Sequence, residues 1–568
     1  MAIPRAVSSR ADVAVVASLC GLGAAIRIPG LTSRDLWFDD SWAALPAHVP
    51  LHDALRMVVT TPLYTLAMRL WIGVLPQDTW WAQLPALVLG VAAIAAVWAL
   101  VRSHGFSRLT AAATALLVAV GPVTVAYSTR VKEYGADLLL ACLVLWLVER
   151  WRRAPQGRQL VVLGLVSIAS LWISASTAAV IGGAAATTIF VAWSRPSTRR
   201  QVAAYLGALV LGAGSVWLVF LRHLPGQLRA NWRTHGFLFG YSSARHVEFA
   251  FQQTFAGIAH GLLGIPIPYT FQGYALRAWP IALAVVTVVV LGSLVALPLA
   301  QAIRTKGEGA SAMTASAAAI AIAVVGTLAG LVPLGDGRTD EVLYPAILLL
   351  GAAATTRVAT HVPVPARVRR SGHIALAGSI AVVAVWFGLT HLGEYPPTGL
   401  RTAYAELQPL LRPGDLVVVD GYEQFTWADE GLTPWQVSFQ QGDVPWPMGF
   451  HVVSAHPGVN LSPEYLQPDP MLPALVAKSS RVWLVGPTVG GFSISDPRAL
   501  WGLPANTPTV RELECPVSEI GLGARTKSFL KALGCTAAKG GLGLHPTKTF
   551  FEYSGTYVWL YVHPPHRR

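Results

Sequence analysis

Ile281-Ala-Leu-Ala-Val-Val-Thr-Val-Val-Val-Leu-Gly-Ser-Leu-Val-Ala-Leu-Pro-Leu-Ala300 is twenty consecutive residues without a charge. A helix needs ~20 apolar residues to cross the hydrocarbon core of a bilayer. A helix on the surface of a soluble domain keeps a polar face, and this segment has none. Ala86 to Val101, Ala310 to Val332 and Ile374 to Leu389 are runs of the same kind. The chain reads as a polytopic α-helical membrane protein.

The whole composition agrees. Of 568 residues, 53% are hydrophobic and 12% are charged, and the mean hydropathy is +0.50. Soluble domains carry about 25% charged residues. The net charge of +13 would point to nucleic acid in a soluble chain. Here the basic clusters all flank apolar runs, as membrane topology requires, and this excludes a nucleic-acid partner.

The loops alternate in charge. Arg5 and Arg10 precede a first span, Ala11 to Ile26, which carries no clean cleavage site and reads as retained. An extracytoplasmic loop follows over about 27–81. Arg102 to Arg108, Glu149 to Arg158, Arg195 to Arg200, Arg304 to Lys306, and Arg357 to Arg370 are basic and therefore cytoplasmic. A long loop, about 221–279, and the turn Gly335 to Glu341 lie outside. A last span, His373 to Thr390, leaves the C-terminal part outside as well. The count is about eleven transmembrane helices, with the N-terminus cytoplasmic. The membrane module occupies 1–392.

Residues 393–568 read as a soluble extracytoplasmic α/β domain. Leu407 to Asp420 reads as a helix end, a turn at Pro413-Gly414, then a strand, and Val482 to Val485 and Tyr557 to Val562 are further strand candidates, rich in β-branched and aromatic residues. Cys20 and Cys142 lie in spans and read as packing residues. Cys515 and Cys535 lie in the outer domain, where a disulfide and two unrelated thiols are both open.

Three stretches carry possible chemistry. Trp37-Phe-Asp-Asp-Ser-Trp42 places two adjacent carboxylates, Asp39 and Asp40, just past a span. Adjacent acids repel, so one can be held as a base near neutral pH. An aromatic interface belt with two solvated acids is the plain alternative. Thr60-Thr-Pro-Leu-Tyr64 leads into an apolar stretch too short to span, placed at the membrane surface. Tyr127-Ser-Thr-Arg-Val-Lys-Glu-Tyr134 sets Arg130 and Lys132 at an outer span boundary, against the positive-inside trend. An anionic lipid phosphate would account for them through charge-assisted hydrogen bonds, and so would charges that only snorkel to the surface.

Together these stretches resemble the GT-C superfamily of glycosyltransferases. Trp37 to Leu45 is similar to its W-[YF]-D-E-x-x-x-A-L stretch, and Pro62-Leu-Tyr64 with Leu70-Trp71 to P-P-L-Y…L-W. Leu84-Pro-Ala-Leu87 is similar to R-L-P-S-L, and Tyr127 to Asp137 to Y-S-Q-E-x-[KR]-x-Y-x-x-D. Gly337-Arg338 with Leu343-Tyr-Pro345 resembles a late G-R…P element. The likeness is to bacterial relatives of protein O-mannosyltransferases and aminoarabinose transferases, over about the first 200 residues. There are departures: Asp40 replaces Glu, Thr60 and Thr61 replace His and Pro, and Gln83 replaces Arg.

The resemblance implies a sugar donor on a polyprenyl phosphate and transfer at the extracytoplasmic face, with inversion at the anomeric carbon. Asp39 and Asp40 are the expected catalytic acids. Lys132, Arg130 and Arg338 are expected at the donor phosphate, and Tyr64, Tyr134 and Trp37 to shape the site. Mannose is the leading sugar, with arabinofuranose or another pentose next. The acceptor is a lipoglycan, a cell-wall glycan or a protein. No cofactor is certain and a divalent metal stays open; His223, His235, His246 and His260 of the long loop show no tight ligand spacing. Rival readings are a ligase for polyprenyl-diphosphate-linked polymers of the O-antigen-ligase kind, a lipid transporter, and a non-catalytic glycan-binding protein. A transporter would carry charges or broken helices at mid-membrane in matching halves; here the ionisable residues lie at the outer rim.

Overall fold

Backbone groups in hydrocarbon must be satisfied within their own segment, so the apolar runs form helices. The computed structural model describes residues 10–32, 36, 38–47, 51–56, 60–75, 79–223, 269–270, 273–274, 281–329, 341–361 and a set of strands between 416 and 562. The helices are α1 (Arg10–Thr32), α2 (Phe38–Ala44), α3 (Leu51–Arg56), α4 (Pro62–Ile72), α5 (Thr79–Ser103), α6 (Arg108–Val120) and α7 (Pro122–Tyr127). They continue with α8 (Tyr134–Arg153), α9 (Gly157–Ile173), α10 (Ala178–Ser194), α11 (Arg199–Val219), α12 (Ile281–Arg304), α13 (Ala312–Leu328) and α14 (Tyr344–His361). Among the described residues, four segments are long and apolar enough to cross a membrane: Arg10–Leu31, Thr79–Ser103, Ala175–Ser194 and Pro196–Val219. Arg108–Val120, Gly157–Ile173 and Ala312–Thr327 are shorter apolar helices. The expected last span and Cys515 and Cys535 lie outside the described residues.

The outward faces are lipid-like. Val161, Leu165, Val210 and Leu211 are 61 to 76% exposed, which water would penalise and acyl chains do not. Between helices the contacts are made by small residues. α10 packs on α13, and a Cβ at Gly183 would lie 2.2 Å from the Ala315 carbonyl oxygen. Close backbone approach of this kind replaces the hydrophobic effect as the force between helices in lipid. Trp98 and Trp151 fill the interior among α5, α6 and α8.

One end of the bundle carries the basic turns. Arg108 Nε donates to Asp12 Oδ1 at 2.8 Å, tying the start of α6 to the start of α1. Glu149, near the end of α8, accepts from Arg152 and Arg153, and its Oε2 also accepts from the Ala312 amide at 3.1 Å, at the start of α13. The opposite end holds the end of α1, the starts of α5 and α8, the end of α9 and the short helices α2 to α4.

α1 continues past the expected span. Arg27 was expected to open the loop but stays inside the helix, because its guanidinium finds carbonyls to donate to. α6 stops at Val120, before Pro122, whose missing N–H and fixed φ start the separate helix α7.

The described strands are β1 (Tyr269–Thr270), β2 (Gly273–Tyr274), β3 (Leu416–Val419), β4 (Asp443–Pro445), β5 (His451–Ser454), β6 (Arg481–Pro487), β7 (Thr547–Lys548), β8 (Tyr553–Ser554) and β9 (Thr556–Val562). Five of them form one sheet in the order β4-β5-β3-β6-β9. Its centre is parallel and both edge strands are antiparallel. The three strands read from the sequence fall in β3, β6 and β9.

Candidate active site

The site grows from two breaks in helical structure at the end opposite the basic turns. α7 ends at Tyr127, and Ser128 to Glu133 run irregularly before α8 begins. This segment enters between helices because glycines let it. A Cβ at Gly90 of α5 would lie 2.1 Å from Ser128 Oγ, and one at Gly135 would lie 3.0 Å from the Ala86 carbonyl oxygen. A Cβ at Gly30 of α1 would only touch Thr129, at 3.4 Å.

The second break is the connection from α1 to α5. α2 carries Asp39 and Asp40 in its first turn, and Asp40 is 2% exposed. The Val131 amide donates to Asp40 Oδ1 at 2.8 Å. Arg130 Nη1 donates to Asp40 Oδ2 at 3.2 Å. Both carboxylate oxygens are thereby engaged, and residues ninety positions apart are joined. Lys132 is the next residue but one and is buried. Its amide donates to the Arg130 carbonyl at 2.8 Å, which folds the turn tightly on itself.

α4 closes the site from the side. Pro62 occupies its first turn, where a proline is favoured. Tyr64, Met68 and Ile72 pack with Leu36, Ala43, Ala44 and Val131 in one apolar cluster, and Leu70 faces outward. Tyr64 is buried, and its phenol is pushed well above the ordinary range, first by burial and then by the charges of Glu133, Asp40 and Asp137. It is neutral at any physiological pH and can donate a hydrogen bond. Two cross-links hold α4 in place. Thr61 Oγ1 donates to the Ile173 carbonyl at the end of α9. Trp71 and Trp81 stack at 4.0 Å, each indole N–H donating to the other's carbonyl at 2.8 and 2.9 Å. Tyr134 meets Tyr127 edge to face at 4.8 Å.

Of the residues expected from the sequence, the structure brings together Asp40, Arg130, Lys132 and Tyr64, with Tyr134 beside them. Asp39 lies in α2, and its side chain lies outside the described residues, as do Trp37, Arg338, His235, His246 and His260, while His223 ends the short turn Leu221–His223. Arg130 was expected at the donor phosphate and is here bonded to Asp40. Thr61 figured in the sequence only as a departure from the family pattern; its link to α9 has no local signal, because its partner is 112 residues away. Among the described residues no group of three or more His, Cys, Asp or Glu can hold a metal ion.

Residues 59–220 match the family model described as dolichyl-phosphate-mannose-protein mannosyltransferase. That stretch begins after Asp39 and Asp40 and takes in Thr61, Tyr64 and the whole segment from Tyr127 to Asp137. No curated protein matches the chain. Among solved structures, ArnT from Cupriavidus metallidurans bound to undecaprenyl phosphate is 12% identical, covering 96% of this chain and 97% of that one with a TM-score of 0.47. Its apo state is 13% identical over 84% and 92%, with a TM-score of 0.43. The Archaeoglobus fulgidus oligosaccharyltransferase is 12% identical over 97% and 88%, with a TM-score of 0.47. Likenesses this loose add nothing about chemistry. The likeness to the mannosyltransferase family model spans residues 59–220, on a bundle of apolar helices.

Proposed function

We propose that the protein is a membrane glycosyltransferase that moves a sugar, mannose first, from a polyprenyl-phosphate carrier to an acceptor outside the cytoplasm. The acceptor is a lipoglycan, a cell-wall glycan or a protein. The chain crosses the membrane about eleven times with its N-terminus inside, and residues 393–568 form an outer α/β domain that binds the acceptor.

The observation that carries this reading is the tie between Asp40 and the Arg130–Val131 turn. It joins Asp40 to the turn that leads into the buried Lys132, at the end of the bundle away from the basic turns. A carboxylate that already accepts two hydrogen bonds, one from a guanidinium, is a poor proton acceptor. Asp40 is therefore the positioning acid, and Asp39 is the base. Asp39 takes the proton of the acceptor hydroxyl. The hydroxyl oxygen bonds to the anomeric carbon as the bond from that carbon to the phosphate oxygen breaks, and the electron pair leaves with the lipid phosphate. The configuration inverts. Lys132 meets the charge that develops on the leaving phosphate, the kind of stabilisation that often dominates catalysis. Arg338 is a second cation for the phosphate. Tyr64, which is neutral, and Tyr134 shape the sugar pocket.

The test is transfer in membranes holding the wild type, Asp39→Asn or Lys132→Met, fed labelled polyprenyl-phosphate sugars one at a time. Transfer from a single donor that Asp39→Asn abolishes, with the protein still accumulating, is expected. Full activity of Asp39→Asn would refute the base assignment, and transfer from none of the donors would refute the reaction class.

A further inference from the structure

Arg27 is a cation at the far end of a membrane helix, fully buried, and bonded to four carbonyls. Its Nη1 donates to the Gly23 carbonyl at 2.9 Å and to the Ala119 carbonyl at 2.6 Å. Its Nη2 donates to the Val118 carbonyl at 3.0 Å and to the Thr124 carbonyl at 3.2 Å. Three of these four acceptors belong to the junction of α6 and α7. That junction has a deficit of donors. Pro122 has no N–H to give to Val118, four residues earlier, and the last carbonyls of any helix lack intrahelical partners. Among the described residues, side chains of the junction itself add Thr124 Oγ1 to Val118 and Gly121, and Ser128 Oγ to Thr124. The guanidinium also stands at the negative end of the α6 dipole, where a cation is favoured. A planar fork with five donors fits such a cradle and a lysine ammonium does not.

The junction leads straight into the candidate site. α7 is six residues long, and its last turn hands over to Ser128, whose hydroxyl reaches back to Thr124. Thr129 rests on Gly30 of α1, one turn beyond Arg27. From there Arg130 and Val131 bond Asp40, and Lys132 follows. The segment is thus held from two sides, by Asp40 above and by Arg27 beneath.

We infer that Arg27 is a positioning residue for the active site: by satisfying the broken end of α6 it sets the register of residues 128–133, and with them Arg130 and Lys132. This rests on the proposed reaction for its functional meaning, but its structural content can be tested without any transfer.

The experiment compares Arg27→Lys, Arg27→Gln and Arg27→Met in the purified full chain. Hydrogen exchange of the peptide covering 122–133 is read against a peptide from α13, alongside donor kcat/KM per folded enzyme. Arg27→Met is expected to speed exchange over 122–133 at least tenfold and leave α13 unchanged, with kcat/KM falling by a similar factor. Arg27→Lys should restore part of both and Arg27→Gln less. The Asp40→Asn, Arg27→Met double variant should lose less than the product of the single losses, because both act through one segment. Exchange that is unchanged, or faster everywhere alike, would overturn the inference, as would full multiplicativity in the cycle. If Arg27→Met fails to accumulate, the Lys and Gln variants carry the same comparison. Wild-type protein that transfers no sugar would overturn the proposed reaction alone, since the exchange result stands without it.

Discussion

Replacing Asp40 by Asn tests whether the acid pair divides its labour. The change keeps an oxygen for the Val131 amide but removes the charge that faces Arg130, and points an NH₂ or a neutral oxygen at the guanidinium instead. Asp40 is 2% exposed and Arg130 14%. Breaking a fully buried pair costs about 3–5 kcal/mol, and the partial access of Arg130 to water lowers this to about 2–3 kcal/mol. Spent on the position of Lys132, that loss corresponds to a fall of about 30- to 150-fold in kcat/KM. The assay is a double-mutant cycle of Asp40→Asn and Arg130→Gln in detergent, with unfolding free energy and transfer read on the same samples. We expect a coupling of at least ~1 kcal/mol in stability, well above the ~0.3–0.5 kcal/mol scatter for independent sites. Asp39→Asn should instead abolish transfer with unfolding unchanged. Additive effects of Asp40→Asn and Arg130→Gln, or an Asp40→Asn protein as stable and active as wild type, would refute the reasoning.

Gly90→Ala should cost about 1–3 kcal/mol and most of the activity, because the new methyl would lie 2.1 Å from Ser128 Oγ; Gly21→Ala, with nothing within 4 Å, should unfold like wild type in the same thermal scan. Glu149→Gln removes the charge that Arg152, Arg153 and the Ala312 amide share, so, with both arginines partly open to solvent, it should lower stability by about 1–2 kcal/mol and leave the donor KM of the remaining folded protein unchanged. His104, in the turn after α5, is half-buried, and desolvation holds its pKa below the ordinary value. Its neutral form is favoured on folding and the unfolded chain binds the extra proton, so stability is full above about pH 6.5 and falls as pH drops through that value; His104→Gln should flatten that part of a pH–stability curve.

The helices were legible because lipid leaves so few choices. A run such as Ala86 to Val101 has one solution in hydrocarbon, and the charges at its ends mark where it stops. The strands at Leu416, Val482 and Tyr557 were legible for a related reason: β-branched and aromatic runs between turn signals fit little else. The neighbourhood of the site was half legible. Asp39 and Asp40 and the Tyr127 to Tyr134 stretch stood out as ionisable residues at a membrane boundary, where each needs a reason.

The sequence by itself determined that this chain lives in a membrane, which loops are basic, and which short motifs hold its ionisable residues. Tertiary structure alone decided what those residues touch. That Asp40 bonds Arg130 and Val131, that Thr61 reaches Ile173, and that Arg27 sits inside α1 beneath the site are pairings across 90, 112 and 92 residues. No periodicity or propensity encodes them. They follow from helix ends brought together at one face of the bundle, where unsatisfied carbonyls and buried charges find the nearest partner that packing supplies.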